Sequence, residues 1–249
     1  DLARLGVRGV RNEAGLGVRA LPNGCIFAIE HDRPGGGRVM INQVLGSPLD
    51  GGLHRVLLRA GVETREVIGP RSEARFGGDE RRLRWEGSFR GLRYRCTLWL
   101  HPTERVLLWR VAATNESGEA VDADATLLQD LGLGGRGFLM NNEAYASQYI
   151  DHFIADDAEV GPVLMARQNL EQSGQHPWIM HGCVPRAAGY ATDGLQVYGP
   201  AHRRADGTGA ATVALPGERL QHEMAMAAVR SAAARIEPGA TAAWTFFAV

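Results

Sequence analysis

The chain has 249 residues, 45% of them hydrophobic and 22% charged, with a formal net charge of −1. It carries no apolar run of membrane length and no charged-apolar-small leader pattern, and its balanced charge offers no field for nucleic acid, so neither a membrane nor a nucleic acid is expected as partner. A cytoplasmic location is the expectation, and three cysteines without a CxxC spacing read as buried thiols in a reducing compartment.

Gly (32) and Pro (11) punctuate the chain, leaving short alternating runs of the kind that build an all-β sandwich. In GVRALPNGCIFAIE, Asn23-Gly24 predicts a tight hairpin between two strands. GPRSEARFGGDERRLRW is the most basic stretch, but Glu73, Asp79 and Glu80 interrupt it, so it reads as a solvated loop and strand edge. LRWEGSF and LRYRCTLWL form the next hairpin across Arg90-Gly91. Leu92, Tyr94, Cys96, Leu98 and Leu100 share one face of its second strand.

VLLWRVAATNESGEAVDADATLLQDL predicts a further hairpin turning at NESGE. Its first strand is apolar on both sides, as suits the interior of stacked sheets, and its second alternates up to Gln129-Asp130. ERLQHEMAMAAVRSAAARIE has helical propensity, yet it lies between Pro-Gly turns in a β-rich chain, and the prediction is strand. Thr241–Val249 closes the fold. No internal repeat or linker divides the chain, so residues 1–249 are expected to form a single domain. The absence of an initiator Met and a last strand that stops abruptly suggest part of a longer polypeptide.

Several motifs invite a chemical reading and fail on spacing. Gly132–Gly137, GLGGRG, matches GxGxxG, but the residues after it do not read as the helix a dinucleotide needs. His222-Glu223 opens an HExxH that Met226 ends. His176, His181 and Cys183 lack a fourth ligand, and a hydrogen-bonding role is expected for both histidines. No metal and no cofactor is expected, and no nucleophile elbow is present, so no catalytic residue is assigned. Glu143 and Asp151 could flank a glycosidic bond, but Asn141, Asn142 and Gln148 nearby favour two ionised carboxylates, better suited to binding than to acid catalysis.

NNEAYASQYIDH concentrates Asn141, Asn142, Glu143, Tyr145, Gln148, Tyr149, Asp151 and His152 in one segment. ARQNLEQSGQHPWIMHG adds Arg167, Gln168, Asn169, His176, Trp178 and His181. Planar amides, carboxylates, Arg forks and aromatic rings are the groups with which proteins hold sugar hydroxyls and sugar faces. The same groups could instead satisfy backbone atoms inside an irregular connection, and the residues alone do not choose between the two. Among the tryptophans, Trp109 and Trp244 read as core, and Trp99 lies on the polar face of its strand.

These two segments, with GYATDGLQVYG and INQVLGSPLDGGLHRVLLR, resemble the N-terminal region of glycoside hydrolase family 94 enzymes. The likeness is strongest to the 1,2-β-oligoglucan phosphorylases and the phosphorylase-like portion of cyclic β-1,2-glucan synthases. Cellobiose and chitobiose phosphorylases share a looser form, with proline where this chain has Glu143 or Ala144. The resemblance implies a large twisted antiparallel sandwich of the galactose mutarotase-like, or supersandwich, type. In the family that sandwich precedes a helical (α/α)6 barrel, to which the proton donor and most phosphate ligands belong.

It also implies inverting phosphorolysis of a β-linked gluco-oligosaccharide, with inorganic phosphate as co-substrate of the parent enzyme. The chain is then expected to be inactive alone, to pack against the barrel of its own polypeptide, and to line the substrate cleft or a homodimer contact. A stand-alone carbohydrate-binding module and a purely structural oligomerisation domain are the competing expectations.

Overall fold

The computed structural model of the protein describes residues 6–35, 37–47, 51–199, 214–221 and 224–249. In chain order the strands and helices are β1 (Arg8–Arg11), β2 (Leu16–Ala20), β3 (Ile26–Asp32), β4 (Arg38–Met40), β5 (Arg55–Ala60), β6 (Glu63–Ile68), β7 (Arg75–Gly78), β8 (Arg82–Phe89), β9 (Leu92–Leu100), β10 (Leu107–Asn115) and β11 (Val121–Asp130). After these come α1 (Arg136–Asn141), α2 (Glu143–Gln148), β12 (Ile150–Asp157), β13 (Gly161–Gln168), β14 (Trp178–Val184), β15 (Ala187–Asp193), α3 (Gly194–Tyr198), β16 (Ala225–Ser231), β17 (Ala234–Ile236) and β18 (Thr241–Ala248). His222 and Glu223 of the aborted HExxH lie outside the described residues.

All strand pairs are antiparallel, as the punctuated sequence predicts. An eight-stranded sheet runs β12-β13-β14-β18-β10-β9-β8-β7, a six-stranded sheet runs β15-β16-β11-β5-β6 with β17 beside β11, and β1 to β4 form a four-stranded meander. Register follows the turn chemistry. Gly24 takes a φ of 84° between β2 and β3, and Arg90 and Gly91, at 51° and 74°, close the β8–β9 hairpin as a two-residue turn with both φ angles positive. A side chain at Gly24 would strike Trp85, whose Nε1 donates to the Gly24 carbonyl at 3.0 Å.

The core fills the space between the two larger sheets. Leu92, Tyr94, Cys96, Leu98 and Leu100 are all buried on one face of β9, as their alternation predicts, and Trp109, Trp244 and Phe246 join them from β10 and β18. ERLQHEMAMAAVRSAAARIE yields β16 and β17; every residue of β16 is buried, and sheet pairing overrides its helical propensity. Cys25, Cys96 and Cys183 are buried and none forms a disulfide. Burial raises the Cys183 thiol pKa to about 12, which removes it as a nucleophile at neutral pH.

The NESGE segment departs from the sequence-based expectation. It is a corner between sheets and not a hairpin: β10 pairs with β9 and β18, whereas β11 pairs with β16, β17 and β5. The roles of the two strands are also exchanged. β10 alternates between buried and partly exposed positions, and β11 is the strand enclosed on both faces. The reason is Asn115, buried at the corner. Its Nδ2 donates to Glu119 O at 2.7 Å and Ile236 O at 2.8 Å, while its Oδ1 accepts from the Ser117 amide at 2.9 Å and hydroxyl at 2.7 Å. Those four bonds turn the chain out of one sheet and into the other.

Replacing Asn115 with Ala takes the side-chain partner from the buried Ile236 carbonyl and from the Ser117 amide, while the Glu119 carbonyl keeps the Ser117 hydroxyl, so unfolding free energy from urea denaturation is expected to fall by about 1–3 kcal/mol. A change below the error of the titration would show that the corner holds without its side chain.

Candidate functional site

The polar segment of the sequence crosses from one sheet to the other. Residues after β11 pass through the glycine-rich stretch into α1, and α2 then delivers the chain to β12 at the edge of the eight-stranded sheet. A helix therefore does begin at the end of GLGGRG, contrary to the reading of its sequence, but it has only six residues and lies on a link between two separate antiparallel sheets rather than in a parallel βαβ unit. Much of the amide chemistry here is internal. Asn141 Nδ2 donates to Gly137 O and Asn142 Nδ2 to Phe138 O, each at 2.9 Å. Gln168 is fully buried; its Nε2 donates to Gly132 O at 3.1 Å and Ala146 O at 3.0 Å, and its Oε1 accepts from the Leu170 amide at 3.0 Å. The Asn169 amide donates to Tyr149 O at 2.9 Å. These residues hold the connection in place.

Other predicted residues point outward. Tyr145 and Tyr149 form an exposed tilted pair with ring centroids 4.9 Å apart, and Gln148 is exposed beside them. Asp151 lies 3.6 Å from Arg219, so its partner is a guanidinium and not the expected amides. Register places Asp151 opposite Arg167 and Arg167 opposite Trp178, making an exposed row across β12, β13 and β14. The adjoining row contains Phe153, Met165 and Met180, of which Phe153 is 61% exposed.

His152 and His181 are enclosed in the core, together with His54, which the sequence reading passed over. No ring nitrogen of the three has a hydrogen-bond partner, which corrects the hydrogen-bonding role expected of His181. His54 stacks on Trp109 at 5.6 Å. Burial depresses the pKa of His54 and His181 to about 3 and that of His152 to about 4. Charge repulsion between His54 and His181, and between His181 and His152, adds to the effect, so the three form a neutral polar seam. His176 is exposed and tied through Nδ1 to Gln168 O at 3.2 Å. Among the described residues no three His, Cys, Asp or Glu side chains converge as metal ligands.

A cleft of about 1040 Å³ opens at one end of the sandwich. The meander contributes His31 and Arg33, the β9–β10 loop contributes Glu104 and Arg105, the β13–β14 loop contributes His176, and the start of β14 contributes the 61%-exposed Trp178. Gln129 of β11 lies at its floor, and it is also the polar neighbour of His54. The seam therefore runs inward from this cleft. His31 Nε2 donates to Ala14 O at 3.1 Å, and burial, reinforced by Arg105, lowers its pKa. Of the predicted site residues only His176 and Trp178 line the cleft. His31, Arg33, Glu104 and Gln129 come from segments with no local motif; the one sequence signal was a Gln-Asp pair ending a buried strand.

Comparison with known proteins decides the family. A family model described as the SOGP N-terminal domain matches residues 19–248. The chain belongs to this family. A 1,2-beta-oligoglucan phosphorylase of Listeria innocua serovar 6a is 33% identical over 163 residues, covering 65% of this chain and 14% of that protein. The chain thus spans about one seventh of the relative's length. Among solved structures, a polysaccharide lyase aligns with a TM-score of 0.54 at 12% identity, over 94% of this chain and 32% of that one. A putative aldose 1-epimerase of Escherichia coli K12 aligns at 0.51 and 9% identity, over 98% of each chain. These two likenesses are of fold, and they bear out the mutarotase-like sandwich that the sequence resemblance implied.

The buried seam sets a pH dependence. All three histidines have folded pKa values below the ordinary 6.5, so the unfolded chain binds more protons over the interval between. Stability is expected to be full above pH 6.5 and to fall as the pH drops toward 4. Asp130, raised from 3.8 to about 6 by burial, acts oppositely between those values, one group against three. The melting temperature followed by calorimetry from pH 7.5 to about 4 checks this, and His181→Leu should flatten the slope. A wild-type slope of zero or of opposite sign would show that the rings are solvated or paired.

Proposed function

We propose that the chain is the non-catalytic N-terminal sandwich of a carbohydrate phosphorylase acting on β-1,2-linked, or other β-linked, gluco-oligosaccharides. The observation that carries this reading is the 33% identity to a 1,2-beta-oligoglucan phosphorylase, confined to 14% of that protein's length. Phosphorolysis needs one carboxylic acid to protonate the leaving oxygen and a cradle of donors for phosphate, because phosphate itself attacks the anomeric carbon. The remainder of such a polypeptide supplies both in this reading, and the sandwich supplies a wall.

The sheet end at β12 to β14 suits contact with that remainder. Five of the nine exposed large hydrophobic side chains among the described residues fall between Met140 and Trp178. Phe153, Met165 and Met180 offer an apolar strip, and Asp151, Arg167 and Arg219 border it with charge. A docked helical barrel, or a second copy of the enzyme, would bury that strip, and Tyr145, Tyr149 and Gln148 would face the joint. The cleft beside Trp178 favours a second reading, a module that holds saccharide by itself.

The direct test uses a polypeptide extended into the downstream reading frame. With inorganic phosphate and β-1,2-gluco-oligosaccharide, the extended enzyme is expected to release α-glucose 1-phosphate, and the 249-residue chain is not. Release by the 249-residue chain alone overturns the accessory role. Within the extended enzyme, alanine at Tyr145, Gln148 or Asp151 is expected to raise KM or lower turnover by about three- to tenfold, as loss of one polar or aromatic contact does. Unchanged kinetics in all three would remove this segment from the substrate wall.

A further inference from the structure

Two polar side chains that line the cleft at the end of the sandwich each keep a buried atom without a hydrogen-bond partner. Gln129 is fully buried and lines the floor; its Oε1 meets only the His54 ring, without a well-formed hydrogen bond, and its Nε2 makes only a 3.3 Å bond to Asp130 O. Arg33 is held by Gln172 O at 2.7 Å through Nη1, which leaves its buried Nε without a partner. A buried, unpaired amide oxygen costs about 1–3 kcal/mol, and a structure keeps such a group where a ligand or water completes it. Here the acceptor and the guanidinium donor line the same concavity, on elements fixed by the sandwich.

The rest of the lining indicates what kind of molecule fits. Trp178 lines the wall while 61% exposed, a large planar apolar surface that the fold leaves uncovered. Glu13 and Glu104 balance Arg33 and Arg105, and none of these four is in an ion pair among the described residues. With balanced charge the cleft has no net attraction for a polyanion, and its donors and acceptors suit a neutral, many-hydroxyl ligand with an apolar face. The volume, about 1040 Å³, is at the upper end of the ~300–1,000 Å³ typical of ligand sites and exceeds the needs of a single sugar ring.

We infer that this cleft is a saccharide-binding site in its own right, with Trp178 as the stacking platform and Gln129 and Arg33 as hydroxyl partners for a neutral gluco-oligosaccharide. The ligand class rests on the phosphorylase reading, and the site adjoins the β12–β14 strip proposed to meet the rest of the enzyme, because Trp178 opens β14 and pairs with Arg167 at the border of that strip. A surface that holds glucan beside the catalytic barrel would raise its local concentration there, without taking part in bond breaking.

The test is titration calorimetry on the 249-residue chain with β-1,2-linked gluco-oligosaccharides of about three to five units, sized to the cleft volume, and with inorganic phosphate as the anionic control. Saccharide is expected to bind in the millimolar range or tighter, and phosphate is not. Trp178→Ala should weaken saccharide binding about tenfold or more, in keeping with loss of an aromatic platform. Gln129→Leu should weaken it comparably while the melting temperature holds or rises, because the substitution removes an unpaired buried group. Val62→Ser, at an exposed position that does not line the cleft, should leave binding unchanged.

No binding by the wild-type chain up to the solubility of the sugar overturns the inference, as does full affinity in both Trp178→Ala and Gln129→Leu. Phosphate binding in place of saccharide overturns it too. The phosphorylase reading is judged separately, by release of glucose 1-phosphate from the extended enzyme. That activity can survive a silent cleft, and cleft binding can survive its absence.

Discussion

Enclosure of β11 on both faces is the constraint from which the rest of the molecule follows. Ala123, Ala125 and Leu127 face the main core, and Leu128 on the opposite face packs into a second cluster with Val197, Tyr198 and Leu215. A strand in that position has no solvent for its polar side chains, so each must find a partner or carry a cost. Asp124 is met by Arg59, with Arg230 Nε 3.6 Å from its other oxygen, and Thr126 accepts from Arg230 Nε at 3.0 Å. Asp130 takes the Gln43 and Val44 amides, both at 2.8 Å, and so ties the meander side of the molecule to the six-stranded sheet. Such pairs add little net stability over apolar residues, but breaking one is costly, and they fix register.

Gln129 of β11, like Asp130 through its Oδ1, keeps a buried oxygen without a hydrogen-bond partner, and the cleft and the histidine seam both meet at Gln129. The seam is neutral because burial disfavours the imidazolium, and it is unpaired because the strands around it devote their backbone groups to one another. Acid is expected to weaken the fold through the same groups that make the interior polar. Polar side chains, Gln129 and the histidines behind it, occupy the space between the cleft and the apolar core.

Much of the fold was legible in the amino-acid order because strand structure has period two and turns have demanding backbone angles. Leu92 to Leu100 announced their buried face, Arg90-Gly91 its hairpin, and the Ala- and Met-rich segment became β16 once its flanking turns were weighed above propensity. The corner at NESGE was not legible. A short polar turn between two strands looks the same whether the strands pair or part, and the difference lies in Ile236, distant in sequence, which accepts from Asn115. The exchange of roles between β10 and β11 has the same origin, since neighbours and not composition decide which strand is covered twice.

The candidate site divides along similar lines. The sequence by itself determined an all-β scaffold, the family that its motifs resemble, and a stock of sugar-compatible side chains around Asn141–His181. Only the tertiary structure decided which of those side chains are available: Asn141, Asn142 and Gln168 bond within the connection, His152 and His181 are sealed in the core, and Trp178 and His176 line an open cleft. The cleft itself joins residues from the meander, the β9–β10 loop, β11, the β13–β14 loop and β14, brought together by strand pairing between positions as distant as Leu107 and Ala248. Burial and free hydrogen-bonding capacity are properties of that assembly, because each depends on what the rest of the chain places beside a residue and not on the residues next to it in sequence.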